Sequence, residues 1–415
     1  MLYLVIKRYY ILTMQLRYNY RLYPAPGQCE ALARAFGCAR VVFNDALRIR
    51  QEAFEAGLPC ITDAELSARV TAAKATPERA WLAEVSSVVL QQALADLNTA
   101  YRNFFASITG KRQGPRVAAP RFRSRKDGRQ AVRFTSNARF KILPSGALRL
   151  PKIGDVKVRW SRDLPSGPSS VTVTKDAAGR YFASFVVETD STADGERFQP
   201  ADREVGIDLG LTAFAVLSDG KVVKSPRFLR RAERKLKRLQ QAFSRKVQGS
   251  ANSEKARVRV ARAHARVADS RRDFHHNLST AIVRENQAVY VEDLCVAGIG
   301  RTRLAKSIHD AGWSAFVGML EYKSRRYGRI FGKVGRYEPT SQVCSVCGAK
   351  DGLKPLWVRT WACPACGTVH DRDVNAARNI VALGRRETLN ACGGTVRPRL
   401  ALAGPSETGT HRSAA

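Results

Sequence analysis

Acidic residues are scarce in this chain: 36 Asp and Glu stand against 70 Lys and Arg, a formal charge of +34 at pH 7. Such an excess repels itself in the folded state unless a polyanion relieves it. Nucleic acid is the expected partner, held through its phosphates and released by salt. Long apolar runs are also missing. The most apolar stretch, MLYLVIKRYYILT at 1–13, is broken by Lys7 and Arg8, is too short to span a bilayer and lacks a small-residue cleavage site. A membrane protein is therefore not expected, and a cytoplasmic one is. Met14 is the expected start, with 1–13 a translated upstream segment. No disulfide framework is legible either. Of nine cysteines, Cys29, Cys38, Cys60, Cys295 and Cys392 are scattered, as reduced thiols of a cytosol would be. Apolar residues are not lacking: at 44% of 415 residues they support a real core and two or three domains.

Leu16, Tyr18, Tyr20 and Leu22 alternate with Gln15, Arg17, Asn19 and Arg21, the period of a half-buried strand, which Pro24 and Pro26 end. From Gln28 to Ser107 the pattern turns helical. Lys111–Arg133 is a basic loop with Phe122 set among its charges and Phe134 at its end. Strand signals return from Phe140 to Glu188, where Val171 and Val173 face Tyr181, Ala183, Phe185 and Val187 across an Asp176-Ala177-Ala178-Gly179 turn. The expectation is a small β-barrel from 14–26 and 134–190, with the helices of 27–133 inserted. The polar stretch 191–203 reads as a linker. Beyond it a strand pair over Val205–Leu217 leads into a basic helical region. From Arg227 to Arg272 there are sixteen Lys and Arg against Glu233, Glu254 and Asp269. Leu229, Ala232, Leu236, Leu239 and Phe243 recur at helical steps, as do Ala256, Val260, Ala263, Val267 and Phe274. Two antiparallel helices around Gly249 are predicted, and with so few acids to pair with, a phosphate-contacting face is favoured over a merely solvated one. The Pro-, Gly-, Ser- and Thr-rich tail at 391–415 is expected to be disordered.

Three acids stand in apolar settings. Asp208 closes Val205-Gly206-Ile207-Asp208, Glu292 closes Ala288-Val289-Tyr290-Val291-Glu292, and Asp373 lies in His370-Asp371-Arg372-Asp373-Val374-Asn375-Ala376-Ala377, before a helix predicted to stop at Gly384. Singly, each has a plain reading as a turn residue, a solvated acid or a helix N-cap. Together, acids at two strand ends and one helix start can converge on a mixed sheet and hold Mg²⁺, whose hard charge takes carboxylate oxygens. Cys344, Cys347, Cys363 and Cys366 form C-x2-C-x15-C-x2-C, the spacing of two knuckles around one tetrahedral Zn²⁺. Gly348 and Gly367 follow each second cysteine, where a knuckle turn takes left-handed backbone. Four thiolates leave no open position, so this zinc is expected to be structural.

The segments GIDLG, VED and DRDVNAA, in that order and with a basic helical hairpin between the first two, resemble the three split motifs of the RuvC-like nuclease of the TnpB family. Small type V CRISPR effectors are similar in the same way. The resemblance implies a multidomain α/β fold. An RNase H-like (RuvC-like) mixed-sheet nuclease would span 204–340 and 368–390, with a zinc ribbon inserted at 341–367. The N-terminal barrel would be wedge-like and the inserted helices a recognition bundle. It also implies the activity: an RNA-guided DNA endonuclease of an insertion sequence, with Asp208, Glu292 and Asp373 holding two Mg²⁺ and hydrolysis leaving a 5′-phosphate. The partners would be a guide RNA from the transposon end and double-stranded target DNA beside a short adjacent motif. A monomer is expected. Ala119–Lys126 (APRFRSRK) and Phe43-Asn44 also resemble family stretches. Phe122, Phe134 and Tyr101 are candidates for base stacking, although Tyr101, Phe104 and Phe105 share a helical spacing that favours the core. Arg359 and Trp361 are candidates for strand contact, ribbon packing being at least as good a reading of Trp361. His370 and Asp371 are candidates for supporting the metal acids. The competing readings are an RNA-guided repressor that does not cut, a CRISPR-associated effector, and a strand-joining transposase, against which no separate helix-turn-helix is legible.

Overall fold

The computed structural model describes residues 13–190, 198, 201–355 and 357–391. All but Thr13 of the expected upstream segment, most of the expected linker and nearly all of the tail lie outside those residues. The chain forms two compact units that divide after Asp190.

The first unit combines a sheet with a helical insertion. Strand β1 (Thr13–Tyr23) alternates as its sequence does, burying Tyr18, Tyr20 and Leu22. Helix α1 (Pro26–Glu55) follows at once. Its proline sits in the first turn, where a backbone N–H has no helical partner to lose. Thr62 and Glu65 cap α2 (Asp63–Lys74) reciprocally: Thr62 N donates to Glu65 Oε2 at 2.7 Å and Glu65 N to Thr62 Oγ1 at 3.3 Å. After α3 (Ser87–Ile108) come β2 (Gln130–Thr135), β3 (Lys141–Ile142), β4 (Leu148–Leu150), β5 (Gly154–Arg159), β6 (Ser170–Lys175) and β7 (Tyr181–Asp190). They form one seven-stranded sheet in the order β2-β6-β7-β1-β5-β4-β3. Every neighbouring pair is antiparallel.

Among the described residues β2 and β3 remain the two edges of that sheet, so where a barrel is expected the hydrogen bonding gives an open sheet. The β6–β7 hairpin has the expected facing, with Val171 opposite Phe185 and Val173 opposite Ala183. Asp176 closes its turn by accepting from Ala178 N at 3.0 Å and Arg180 N at 2.8 Å. Strand β2 begins inside the expected basic loop because Val132 and Phe134 alternate into the core. Phe134 is completely buried among residues that include Phe36 and Leu90, and is withdrawn as a stacking residue.

The second unit is built on a five-stranded sheet in the order β10-β9-β8-β11-β12. Strands β8 (Glu204–Asp208), β9 (Ala213–Leu217) and β10 (Val222–Lys224) are joined antiparallel. Helices α4 (Phe228–Ser244) and α5 (Ala251–Glu285) come next, separated at Gly249, whose φ of 83° needs glycine. Only the inner positions of α4 and α5, among them Leu236, Ala256 and Val267, are buried. Ser250 caps α5 through Ser253 N at 3.1 Å. Then follow β11 (Ala288–Glu292), α6 (Val296–Ile299), α7 (Ala305–Ala311), α8 (Trp313–Arg326) and β12 (Ile330–Val334). Helix α4 has no cap of its own; the buried carboxylate of Asp310 in α7 supplies one, accepting from Leu229 N at 2.8 Å and Arg230 N at 3.3 Å. A small hairpin of β13 (Thr360–Ala362) and β14 (Val369–Asp371) leads directly into α9 (Arg372–Ala391).

Strands β8, β11 and β12 run parallel. As in other parallel sheets, both faces are covered. Val205, Ile207, Val289 and Val291 point to the side of α5 and α8, where they meet Ile282, Val283, Phe316 and Leu320. Ala288 and Tyr290 point to the other side, against Ile380 of α9. Helix α9 lies close on this face. A Cβ on Gly206 would stand 2.0 Å from the carbonyl oxygen of Ala377, and one on Gly384 would stand 2.3 Å from the ring of Tyr290. Gly384 therefore does not stop the helix, as its sequence reading predicts; it lets the helix pass Tyr290 and continue to Ala391. Among the described residues no helix is long and apolar enough to cross a membrane.

Candidate functional site

Parallel pairing sets Val291 beside Ile207, so the next residues, Glu292 and Asp208, leave neighbouring strands at the same edge. Asp373 comes to them from the first turn of α9. The Asp208 carboxyl is pushed up to about 7, first by burial and then by the charges of Asp373 and Glu292, with Arg372 and Arg359 opposing. Burial raises Glu292 as well. Asp373 and Glu292 thus both bear electrostatically on Asp208 at one sheet edge. They do not form as tight a cluster as the cysteines: among the described residues, only the four cysteines bring three or more ligand atoms within 4.8 Å. The repulsion around Asp208 is what a divalent cation would relieve, so these donors fit Mg²⁺.

Two residues next to the acids have roles that the sequence reading does not reach. Asp371 is the cap of α9, its Oδ1 accepting from Asp373 N at 3.0 Å and Val374 N at 2.9 Å. That frees the Asp373 side chain from capping. Arg359 is exposed, but its guanidinium is engaged: its Nη1 donates to both Asp373 oxygens, at 3.0 and 2.9 Å. The two positions lie fourteen apart along the chain, across the ribbon hairpin, so no sequence period links them.

The four cysteine sulfurs lie within 4.8 Å of one another, with Cys344 and Cys363 buried and Cys347 and Cys366 exposed. Each knuckle closes as predicted: Gly348 N donates to Cys344 O at 2.9 Å and Gly367 N to Cys363 O at 2.8 Å, with φ of 76° and 72°. The hydroxyl and N–H of Thr368 draw the Cys366 thiol down to about 6, toward the thiolate a metal takes. Four converging sulfurs with no fifth donor suit a closed zinc site. Trp361 is buried, with Lys354 Nζ 3.7 Å and the His370 ring centre 4.9 Å from its ring centre, so the packing reading of Trp361 holds. The ribbon hairpin runs to Asp371, beyond the expected boundary at 367.

Sequence reasoning missed Asn375 and Asn379. Both are buried on α9, and both bind the backbone before the first knuckle. The available signal is two asparagines four apart on the apolar face that carries Ala376 and Ile380.

In the first unit the two short family resemblances meet. Asn44 Nδ2 donates to Arg123 O at 3.0 Å, and Arg123 N donates back to Asn44 Oδ1 at 2.8 Å. The Arg123 guanidinium lies 3.8 Å from the centre of the Phe43 ring and pairs with Asp96 at 3.1 Å. This pins the basic loop to α1, beside a cleft of about 270 Å³ lined by Arg40, Arg123 and Arg129. Phe122 is half exposed, as a stacking residue must be. Tyr101 packs part-buried against the core, whereas Phe105, expected in the core, is exposed because it lies near the end of α3.

The fold and site define a class: mixed-sheet α/β proteins with carboxylates at adjacent parallel strand ends and a four-cysteine ribbon feeding the helix of the third acid. Residues 184–303 match the OrfB_IS605 profile, described as "Probable transposase", and residues 313–380 match the Cas12f1-like TNB domain. A profile described as a helix-turn-helix domain matches residues 14–58, which in this structure are β1 and the single helix α1. The chain is 44% identical over 387 residues to a Streptomyces pristinaespiralis protein named "Putative RNA-guided DNA endonuclease", covering 92% of each chain. It is 32% identical to Escherichia coli K12 "Putative RNA-guided DNA endonuclease InsQ", covering 92% of this chain and 94% of that one. A solved structure described as a Cas12f1-sgRNA-target DNA complex shares the fold, with a TM-score of 0.51 at 13% identity over 86% of this chain and 83% of that one. The chain belongs to the TnpB family, the IS605 OrfB proteins.

Proposed function

We propose that this chain is an RNA-guided DNA endonuclease of an insertion sequence, with Asp208, Glu292 and Asp373 as its catalytic acids. The observation that carries the reading is the parallel pairing that sets Asp208 beside Glu292 at one sheet edge, where Asp373 bears on the buried Asp208 carboxyl from α9, in a protein of charge +34. Arg372 and Arg359 offset the mutual repulsion of these acids only in part, and a divalent cation would offset more of it. Bound there, Mg²⁺ would activate a water and neutralise charge on the phosphodiester, two ions being the arrangement these acids are proposed to hold. The chain's own residues do the positioning. Strands β8 and β11 fix Asp208 and Glu292 side by side, and the Asp371 cap sets the first turn of α9. Arg359 aligns Asp373 through its two hydrogen bonds.

The cations of α4 and α5 and the pinned loop of the first unit are the proposed contacts for guide RNA and for its duplex with target DNA. The sheet and helices of that unit take the wedge and recognition roles. The four cysteines hold one structural zinc, and the protein works as a cytoplasmic monomer.

The test uses protein co-expressed with RNA from its own downstream flank and plasmids carrying a matched target beside randomised sequence. In Mg²⁺, wild type should cut a motif-bearing subset, while Asp208→Ala should bind RNA and not cut. Cleavage retained by Asp208→Ala would remove that residue from the mechanism. If neither protein cuts and both shield the matched target, the repressor reading replaces the nuclease.

A further inference from the structure

Three buried side chains of β14 and the first half of α9, those of His370, Asn375 and Asn379, are directed at one short segment, Thr340–Ser345. His370 Nε2 lies 3.0 Å from Cys344 Sγ. Asn375 accepts from Ser345 N at 2.8 Å through Oδ1 and donates to Val343 O at 2.8 Å through Nδ2. Asn379 Nδ2 donates to Thr340 O at 2.8 Å and to Val343 O at 2.7 Å. His370, Asn375 and Asn379 are all buried, so these bonds form where an unmade one is costly. The segment they hold carries the first cysteine of the ribbon; Asn375 and Asn379 belong to the helix that carries Asp373, and His370 to the strand that leads into it.

We propose that His370 is a positioning residue, donating its Nε2–H to the metal-bound Cys344 thiolate and so tying zinc occupancy to the placement of Asp373. The chemistry gives the bond its direction. A thiolate on zinc has no proton to donate, so the imidazole nitrogen carries it, and a charge-assisted N–H···S bond draws charge from a ligand set that four thiolates leave net negative. The ring is held for this by Trp361, whose centre lies 4.9 Å from its own. From His370 the path to the acid is short and rigid: Asp371 caps α9 through Asp373 N and Val374 N, and Asp373 sits in the first turn. Anything that stabilises one end therefore stabilises the other, and by linkage zinc affinity and Mg²⁺ affinity rise and fall together. The zinc half of the proposal stands on the ribbon alone; the Asp373 half rests on the function proposed above.

The test compares full-length wild type with His370→Phe, His370→Ala and His370→Gln, each loaded with one zinc. Zinc release to a chromogenic chelator is followed first, then the Mg²⁺ concentration giving half-maximal cleavage. Phe keeps a ring against Trp361 but has no donor, whereas Gln keeps an N–H. Expected is zinc release faster by roughly tenfold or more in Phe and Ala, with Gln nearer wild type, since loss of a partner behind a metal ligand typically costs about 10–100-fold in affinity. The Mg²⁺ midpoint should rise in the same order. Wild-type release from His370→Phe would mean that packing, not the N–H, matters, and would overturn the donor role. Accelerated release with an unchanged Mg²⁺ midpoint would overturn the link to Asp373. Zinc release is read without any cleavage, so failure of the nuclease reading leaves the donor test intact.

Discussion

In the seven-stranded sheet every neighbouring pair runs antiparallel, whereas in the five-stranded sheet β8, β11 and β12 run parallel. Antiparallel pairing sends successive strand ends to opposite edges, so no two C-terminal ends are neighbours. The chemistry available to the first unit lies instead on a loop, Arg123 and its neighbours, pinned from outside by Phe43, Asn44 and Asp96. Parallel pairing gathers C-terminal ends at one edge, and two residues that are distant in sequence, Asp208 and Glu292, become neighbours. One unit displays cations on a fixed loop; the other concentrates anions at a strand edge. The difference also sets tolerance to change. The parallel sheet is covered by helices on both faces, and α9 lies almost on the backbone of β8.

The largest expected effect separates core from surface among the aromatics of the first unit. Phe134→Ala should cost about 3–5 kcal/mol of stability, because a fully buried ring leaves a cavity. Phe122→Ala should leave the denaturation midpoint unchanged and weaken RNA binding by about 1–3 kcal/mol. Equal midpoints for the two variants in urea would overturn the placement of Phe134.

Next come two glycines that play different parts in the two units. Gly206→Ala should cost about 3 kcal/mol or more, since its Cβ meets backbone that cannot yield. Gly179→Ala has open space around it and only a φ of 76° to object to, and should cost about 1–2 kcal/mol. Thermal melting of both variants orders them, and a tolerated Gly206→Ala would mean that α9 does not lie so close to β8.

The smallest effect is a slope. A carboxyl whose folded value of about 7 lies above its ordinary 3.8 keeps a proton in the folded state that the unfolded chain has already lost. Stability in Mg²⁺-free buffer should therefore fall as pH rises from about 4 to about 7, and level off above. Asp208→Asn cannot lose that proton and should gain on wild type across the same window, by a few degrees in melting temperature. Parallel melting curves for the two proteins would show that Asp208 is not held in a repulsive setting.

Some of this was legible in the residues because it follows from local pattern. The alternation at Leu16–Leu22 gives β1, the Thr62/Glu65 pair starts α2, and the cysteine spacing announces its knuckles with their left-handed glycines. The three acids stand out because Asp208 and Glu292 close apolar runs and Asp373 stands just before Val374-Asn375-Ala376-Ala377 at a helix start. What failed did so where a neighbour in space overrides local preference. Gly384 reads as a helix stop, yet it is a gap left for the ring of Tyr290. Phe134 stands beside a basic loop but alternates inward with Val132. Phe105 has core spacing but stands near the end of α3, where it meets the rings of Tyr101 and Phe104 and stays more than half exposed.

By itself, then, the sequence determined the charge that calls for nucleic acid, the periodicities of most strands and helices, the four-cysteine ribbon and the identity of the three acids. These are properties of neighbouring residues and of composition, and need no knowledge of what packs where. The tertiary structure alone decided that Arg359 holds Asp373, that Asp310 caps α4, that Asn44 pins Arg123, and that His370, Asn375 and Asn379 grip the first zinc knuckle. Each of these joins side chains whose spacing along the chain obeys no helical or strand period. Only the packing within each unit brings their partners within hydrogen-bonding distance.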